Sequence, residues 1–163
     1  ERFVLLDGGG LFEVEMPADQ IGGTVAVRAV TTNRMLEDTP ETLLAVRAAG
    51  LLPLAPVHLR GSRGAAGDYE ISWTRRTRFS GGWRDLADVP LNEESERYEV
   101  DILAGGSVVR TLVAATPALV YDAADEIADF GAPQATLDVV VHQISAIAGR
   151  GLPLAGTVKE TGP

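Results

Sequence analysis

The stretch Asp68-Tyr69-Glu70-Ile71-Ser72-Trp73-Thr74 alternates apolar and polar side chains without a break and carries one of the chain's two tryptophans. In an extended strand successive side chains point to opposite faces, so Tyr69, Ile71 and Trp73 share one face and Glu70, Ser72 and Thr74 the other. The alternation returns at Arg97-Tyr98-Glu99-Val100-Asp101-Ile102, with Tyr98, Val100 and Ile102 on one face and Glu99 and Asp101 on the other. Strands of this kind bury one face and wet the other. The pattern therefore predicts an all-β, antiparallel β-sandwich with Ile71, Trp73, Tyr98 and Val100 in its core.

Outward from these strands, the spacing is that of a seven-stranded sandwich. Val57-His58-Leu59-Arg60 opens it, and a turn at Gly64 to Gly67 leads to the Trp73 strand. A long polar loop from Arg75 to Asn92 carries Trp83, and the Tyr98 strand follows. Ala104-Gly105-Gly106-Ser107 has hairpin chemistry and returns as Val108 to Val113. Pro117 to Tyr121 is the next strand. Asp122 is placed to cap a single helical turn over Ala123 to Asp129. The longest strand runs from Thr136 to Ser145 with Leu137, Val139 and Val141 inward, and a turn at Gly149-Arg150-Gly151 leads to an edge strand near Leu154 to Val158.

Before the sandwich, Arg2 to Leu6 and Leu11 to Met16 flank Asp7-Gly8-Gly9-Gly10 and read as a hairpin. Thr24 to Val30 reads as a third strand with Val25 and Val27 on one face, and Thr42 to Arg47 as a fourth. Four strands are few for a closed β domain, so 1–50 reads as a partial β domain, the C-terminal strands of an upstream unit. No initiator Met precedes Glu1, and the chain is read as a fragment. The apolar, proline-bearing linker 51–55 should pack down and imply a firm interface between the halves. The sandwich itself is assigned to 56–160.

The chain has 163 residues, 45% of them hydrophobic, and no apolar run near the roughly 20 residues of a membrane span, so it is read as soluble and not membrane-inserted. It has no Cys, which excludes disulfides, thiolate metal sites and a Cys nucleophile. A net charge of -9 argues against nucleic acid as a partner. The charge is uneven: six arginines stand against two acids from His58 to Arg84, then seven acids against one arginine from Asp85 to Asp101. These segments read either as solvated loop faces or as complementary surfaces that pair within the domain or between subunits.

His58 and His142 stand alone at polar strand positions, with no second ligand at metal spacing. Asp122, Asp125, Glu126 and Asp129 lack the spacing of a calcium loop and read as a solvated helix. No Gly-x-Ser-x-Gly elbow presents a nucleophile. No catalytic residue, metal ligand or cofactor site is therefore expected, and the chain is read as a non-enzyme. Trp83, in Ser80-Gly81-Gly82-Trp83-Arg84-Asp85, reads as packing over the sandwich end or, with Arg84 and Arg78, as a contact for a partner chain or a glycan.

Pro56-Val57, Ile71-Ser72-Trp73, Tyr98-Glu99-Val100 and Gln143 to Gly149 resemble strands A, B, C and F of a fibronectin type III domain. Gln143 stands where such domains usually turn a small apolar residue inward. A second resemblance lies in Leu52 to Arg60, Ser72-Trp73-Thr74-Arg75-Arg76-Thr77-Arg78 and Glu93 to Ile102. These are similar to the C-terminal region of tail-hub proteins of gene transfer agents and related siphophages, over most of the chain from about residue 50. That resemblance implies a structural phage tail protein at the tip of a virion-like particle, assembled with other tail-hub or baseplate subunits as a homotrimer and contacting the host surface. The enzyme-like barrel found upstream in that family has no counterpart here, so no catalytic residue carries over. The competing expectation is a carbohydrate-binding module that attaches the particle, or an upstream enzyme, to cell-surface glycan.

Overall fold

The computed structural model describes residues 16–82 and 88–159. These fall into two compact units that divide between Ala48 and Ala49. The predicted hairpin of residues 2–16 lies outside the described residues apart from Met16.

In the first unit a single 3-10 turn, Ala18–Gln20, precedes β1 (Thr24–Val27), which pairs antiparallel with β2 (Thr42–Ala45). The register runs from Thr24 opposite Ala45 to Val27 opposite Thr42. Exchange of backbone bonds between Gly22, Gly23 and Val46 extends it. Both strands are shorter than expected, and β1 stops at Val27. Val25 is half-buried, but Val27 and all of β2 are exposed. Thr39 is the buried point of the connection, its hydroxyl donating to Met35 O at 2.9 Å.

The second unit begins with the linker, which lies against the sandwich. Pro53 is fully buried, and Leu152 N donates to its carbonyl at 2.9 Å. Gly151 makes this approach possible: a Cβ there would stand 2.7 Å from both Pro53 Cβ and Pro53 O. Then come β3 (Val57–Arg63), β4 (Tyr69–Thr74), β5 (Tyr98–Ala104), β6 (Ser107–Ala114), β7 (Ala118–Tyr121), α1 (Ala123–Phe130), β8 (Thr136–Ser145), β9 (Gly149–Arg150) and β10 (Leu154–Lys159). One sheet has the order β3-β4-β7 and the other β6-β5-β8-β10, with the short β9 paired to the end of β8. Every pairing is antiparallel.

The core is the set of inward positions that the alternation marked. Tyr69, Ile71 and Trp73 on β4 face Tyr98, Val100 and Ile102 on β5, and all six are buried. Trp73 is 5% exposed and meets Tyr98 edge-on at 5.0 Å between ring centroids, the favoured geometry for two aromatic quadrupoles. Leu137, Val139, Val141, Gln143 and Ser145 form one continuous buried row on β8. Gln143 therefore keeps the register and is itself inward, opposite Tyr98.

Both sheets carry irregularities at their margins. β3 slips register between Val57 and Arg60, where His58 takes φ 54°. β6 slips opposite Ile102–Leu103, and its one charged residue, Arg110, reaches acids of α1. A bulge and an inward charge on an edge strand both discourage pairing with another chain. The hairpin between β5 and β6 turns through Gly105 (φ 57°) and Gly106 (φ 83°), as a two-residue loop with the twist of its strands requires.

Two expectations fail at α1. It makes eight residues, not a single turn, and Asp122, although it occupies the capping position, makes no side-chain cap bond. Asp68, at the start of the decisive stretch, takes that role: Ala123 N donates to its Oδ1 at 2.9 Å. Tertiary packing has brought a cap from 55 residues away and stabilised a helix longer than local propensity supports.

Candidate functional site

The charged side chains of the sandwich are gathered into three clusters. At the sandwich end beside the linker, Arg75 pairs with Asp88 at 2.6 Å and Glu96 at 3.4 Å, and Arg78 pairs with Glu93 at 2.7 Å. Arg78 also donates to Gly50 O and Asn92 O, and Asn92 bonds Thr77 and Phe79 O. Glu96 accepts from Tyr98 OH at 2.7 Å; burial, reinforced by this carboxylate, pushes the Tyr98 phenol well above its usual range. Arg75 and Arg78 of the basic segment therefore pair with acids of the following segment within one chain.

The second cluster holds α1 to the sheets. Glu126 is 0% exposed and takes a bidentate pair from Arg63 at 2.8 and 3.0 Å, with Gln134 N donating to it at 2.7 Å. Arg63 also donates to Gly67 O and Gln134 O and lies over the Tyr69 ring, 4.8 Å from its centroid. A planar guanidinium can satisfy several acceptors at once in this way, which an ammonium cannot match. The Arg63 bonds hold the Glu126 carboxyl below its usual range against the opposing effect of burial. Arg110 and Tyr121 OH bind Asp129, and Arg110 also reaches Asp125. The expected solvated acidic helix is thus corrected: three of its four acids bind arginine, because α1 packs them against β3 and β6. Among the described residues no group of His, Asp or Glu is placed to hold a metal ion.

The third cluster lies on the outer face of the larger sheet. Arg150 crosses from β9 to bond Glu99 at 2.6 Å and Asp101 at 2.6 and 3.0 Å, while Thr111 donates to Asp101 at 2.6 Å. Asp101 is buried beneath these partners rather than wetted as its outward parity suggested. Burial raises its carboxyl, and the Arg150 and Thr111 bonds outweigh that and bring it below the usual range. His142 beside it is held by the Gly151 carbonyl at 2.9 Å.

A different surface has no such closure. The outer face of the smaller sheet presents Arg60 and Ser62 from β3, Glu70 and Ser72 from β4, and Ala118 and Val120 from β7, around a shallow depression of about 540 Å³. Arg60 stands opposite Ser72, and Glu70 opposite Ser62.

Of the residues singled out by sequence, Ile71, Trp73, Tyr98 and Val100 are core. Arg78 sits in the linker-end cluster with its side chain 13% exposed and its two terminal nitrogens donating to Glu93 and to backbone carbonyls. Trp83 and Arg84 lie outside the described residues. Sequence reasoning missed the Arg63–Glu126 clasp, since an arginine at a strand end and a glutamate 63 positions later carry no local signal.

Three strands in β3-β4-β7 order against four in β6-β5-β8-β10 order define an antiparallel, fibronectin type III-like β-sandwich. The stretches matched by sequence to strands A, B and C fall at the start of β3, in β4 and at the start of β5, and the stretch matched to F runs from the end of β8 through its turn into β9. Solved structures similar to this chain include domains d3-d4 of the rat CD45 extracellular region, at 15% identity and TM-score 0.47, covering 96% of this chain and 73% of that one. The FN5 domain of Drosophila Lar has 15% identity and TM-score 0.38, covering 69% of this chain and 100% of that one. A fibronectin type III domain from human KIAA0970 protein has 19% identity and TM-score 0.41, covering 72% and 80%. At these values the fold rests on the strand order itself. No family model matches the chain, and no curated protein does.

Proposed function

We propose that this chain is a contact module without catalytic activity, a structural part of a phage-like tail hub. What supports this reading is a convergence in space. The three stretches that resemble tail-hub proteins are separate in sequence, yet they meet at one end of the sandwich. Arg78, from the second stretch, bonds Gly50 O just before the first and Glu93 in the third. Trp73 packs on Tyr98, which bonds Glu96. A resemblance scattered over unrelated surfaces would not assemble in this way.

The test is labelling of tailed particles purified from the source culture with antibody to this chain. Decoration confined to the tail tip is expected. Particles that lack the chain, or carry it only on the head, overturn the proposal. A glycan array on the purified chain separates this reading from a carbohydrate-binding module, which would give specific binding to cell-surface sugars.

A further inference from the structure

We infer that the outer face of the β3-β4-β7 sheet is a self-association surface, on which a second copy of this chain packs about a twofold axis with Arg60 of each copy against Glu70 of the other. The inference concerns the isolated chain and stands whether or not the tail-hub reading does.

Three observations carry it. Arg60 and Glu70 are both exposed and, unlike the arginines and acids of the three clusters above, form no ion pair among the described residues. They are diagonal neighbours on adjacent strands, because Arg60 is opposite Ser72 and Glu70 is opposite Ser62; such neighbours lie about 7 to 8 Å apart. Between and beside them the side chains are small: Ser62, Ser72 and Ala118 line the depression, with Val120 on β7 54% exposed at its margin.

A twofold contact is isologous, so whatever residue i meets at j, residue j meets at i. An axis lying in the interface, through the midpoint of the Arg60–Glu70 diagonal and perpendicular to it, sets each guanidinium over the partner's carboxylate. Two ion pairs form from one pair of residues. On the strand spacings of a regular sheet, the same operation brings Ser62 near the partner's Ser62 and Ser72 near the partner's Ser72. Small side chains then meet small ones, which lets the sheets approach closely enough for the charges to pair. Parallel placement would set like charges together, so charge selects the twofold arrangement. The face is only a few residues wide, well below the 20 to 30 a side of a standard interface. The dimer is therefore of the weak, concentration-dependent kind, and sensitive to salt.

Sedimentation equilibrium of the purified chain over a concentration series tests this. A monomer–dimer equilibrium is expected, weakening as salt is raised. Arg60→Glu alone and Glu70→Arg alone should each raise the dissociation constant about tenfold or more, since each sets like charges face to face. The double variant Arg60→Glu with Glu70→Arg should restore it to within about threefold of the parent. Both positions are exposed, and an unchanged circular dichroism melt confirms that each variant is folded. A chain that stays monomeric at every concentration overturns the inference. So does any oligomer that the single reversals leave intact, or that the double reversal fails to restore.

Discussion

Replacing Glu126 with Gln removes one charge from a side chain that water does not reach. Glu126 is 0% exposed, and its partner Arg63 retains 13% of its side-chain exposure. The amide keeps the size of the side chain and one carbonyl acceptor, so packing is preserved while Arg63 loses the charge of Glu126. Breaking a buried pair on one side costs about 3 to 5 kcal/mol. The residual exposure of Arg63 places the expected loss near the lower end, about 3 kcal/mol, a fall in Tm of roughly 10 to 20 °C for a domain of this size. The assay is chemical denaturation of parent and variant as a function of pH. The folded-state pKa of Glu126 lies below its ordinary value of 4.5, so its contribution is complete above that value and disappears as pH falls through the folded pKa. The gap between parent and Glu126→Gln should therefore be constant near neutrality and narrow in acid. A gap under about 1 kcal/mol at pH 7, or one that stays constant into strong acid, refutes the reasoning.

Trp73→Ala should cost about 3 to 5 kcal/mol in denaturant melts, as for other large buried aromatics; a loss under about 1 kcal/mol would place the ring at the surface. Asp68→Ala should destabilise by about 1 kcal/mol through loss of the α1 cap, whereas Asp122→Ala should stay within about 0.5 kcal/mol. The reverse ranking in the same melts removes the distant cap. Gly151→Ala forces a Cβ against Pro53 and Gln143 O and should cost about 1 to 3 kcal/mol, read as a lower Tm. Incubated with peptidoglycan or bacterial polysaccharide, the chain should release no reducing ends. Release abolished by changing one carboxylate to its amide would establish an enzyme instead.

The succession of strands along the chain and the inward residues of β4, β5 and β8 were legible in the sequence because a strand's period of two is local. Each side chain's face is set by its neighbours' parity, and the pattern needs no knowledge of what lies opposite. The Gly105-Gly106 hairpin was legible for a similar reason, since its turn demands positive φ at those positions. Pairings between charges were not. The parity of Asp101 placed it in water, and only the arrival of Arg150 from β9 buried it. The acids of α1 read as a solvated face, but Arg63 and Arg110 come from strands at other points of the chain. The basic and acidic segments around the long loop announced complementarity without saying where it would be satisfied. Arg78 and Glu93 meet within one chain, one of the two kinds of pairing that the uneven charge allowed. Arg60 and Glu70 stand in the same decisive region and look no different in sequence. Whether a charge is left open to a partner depends on which strands flank it in space, and hydrogen-bonded strand order is a property of the folded chain alone.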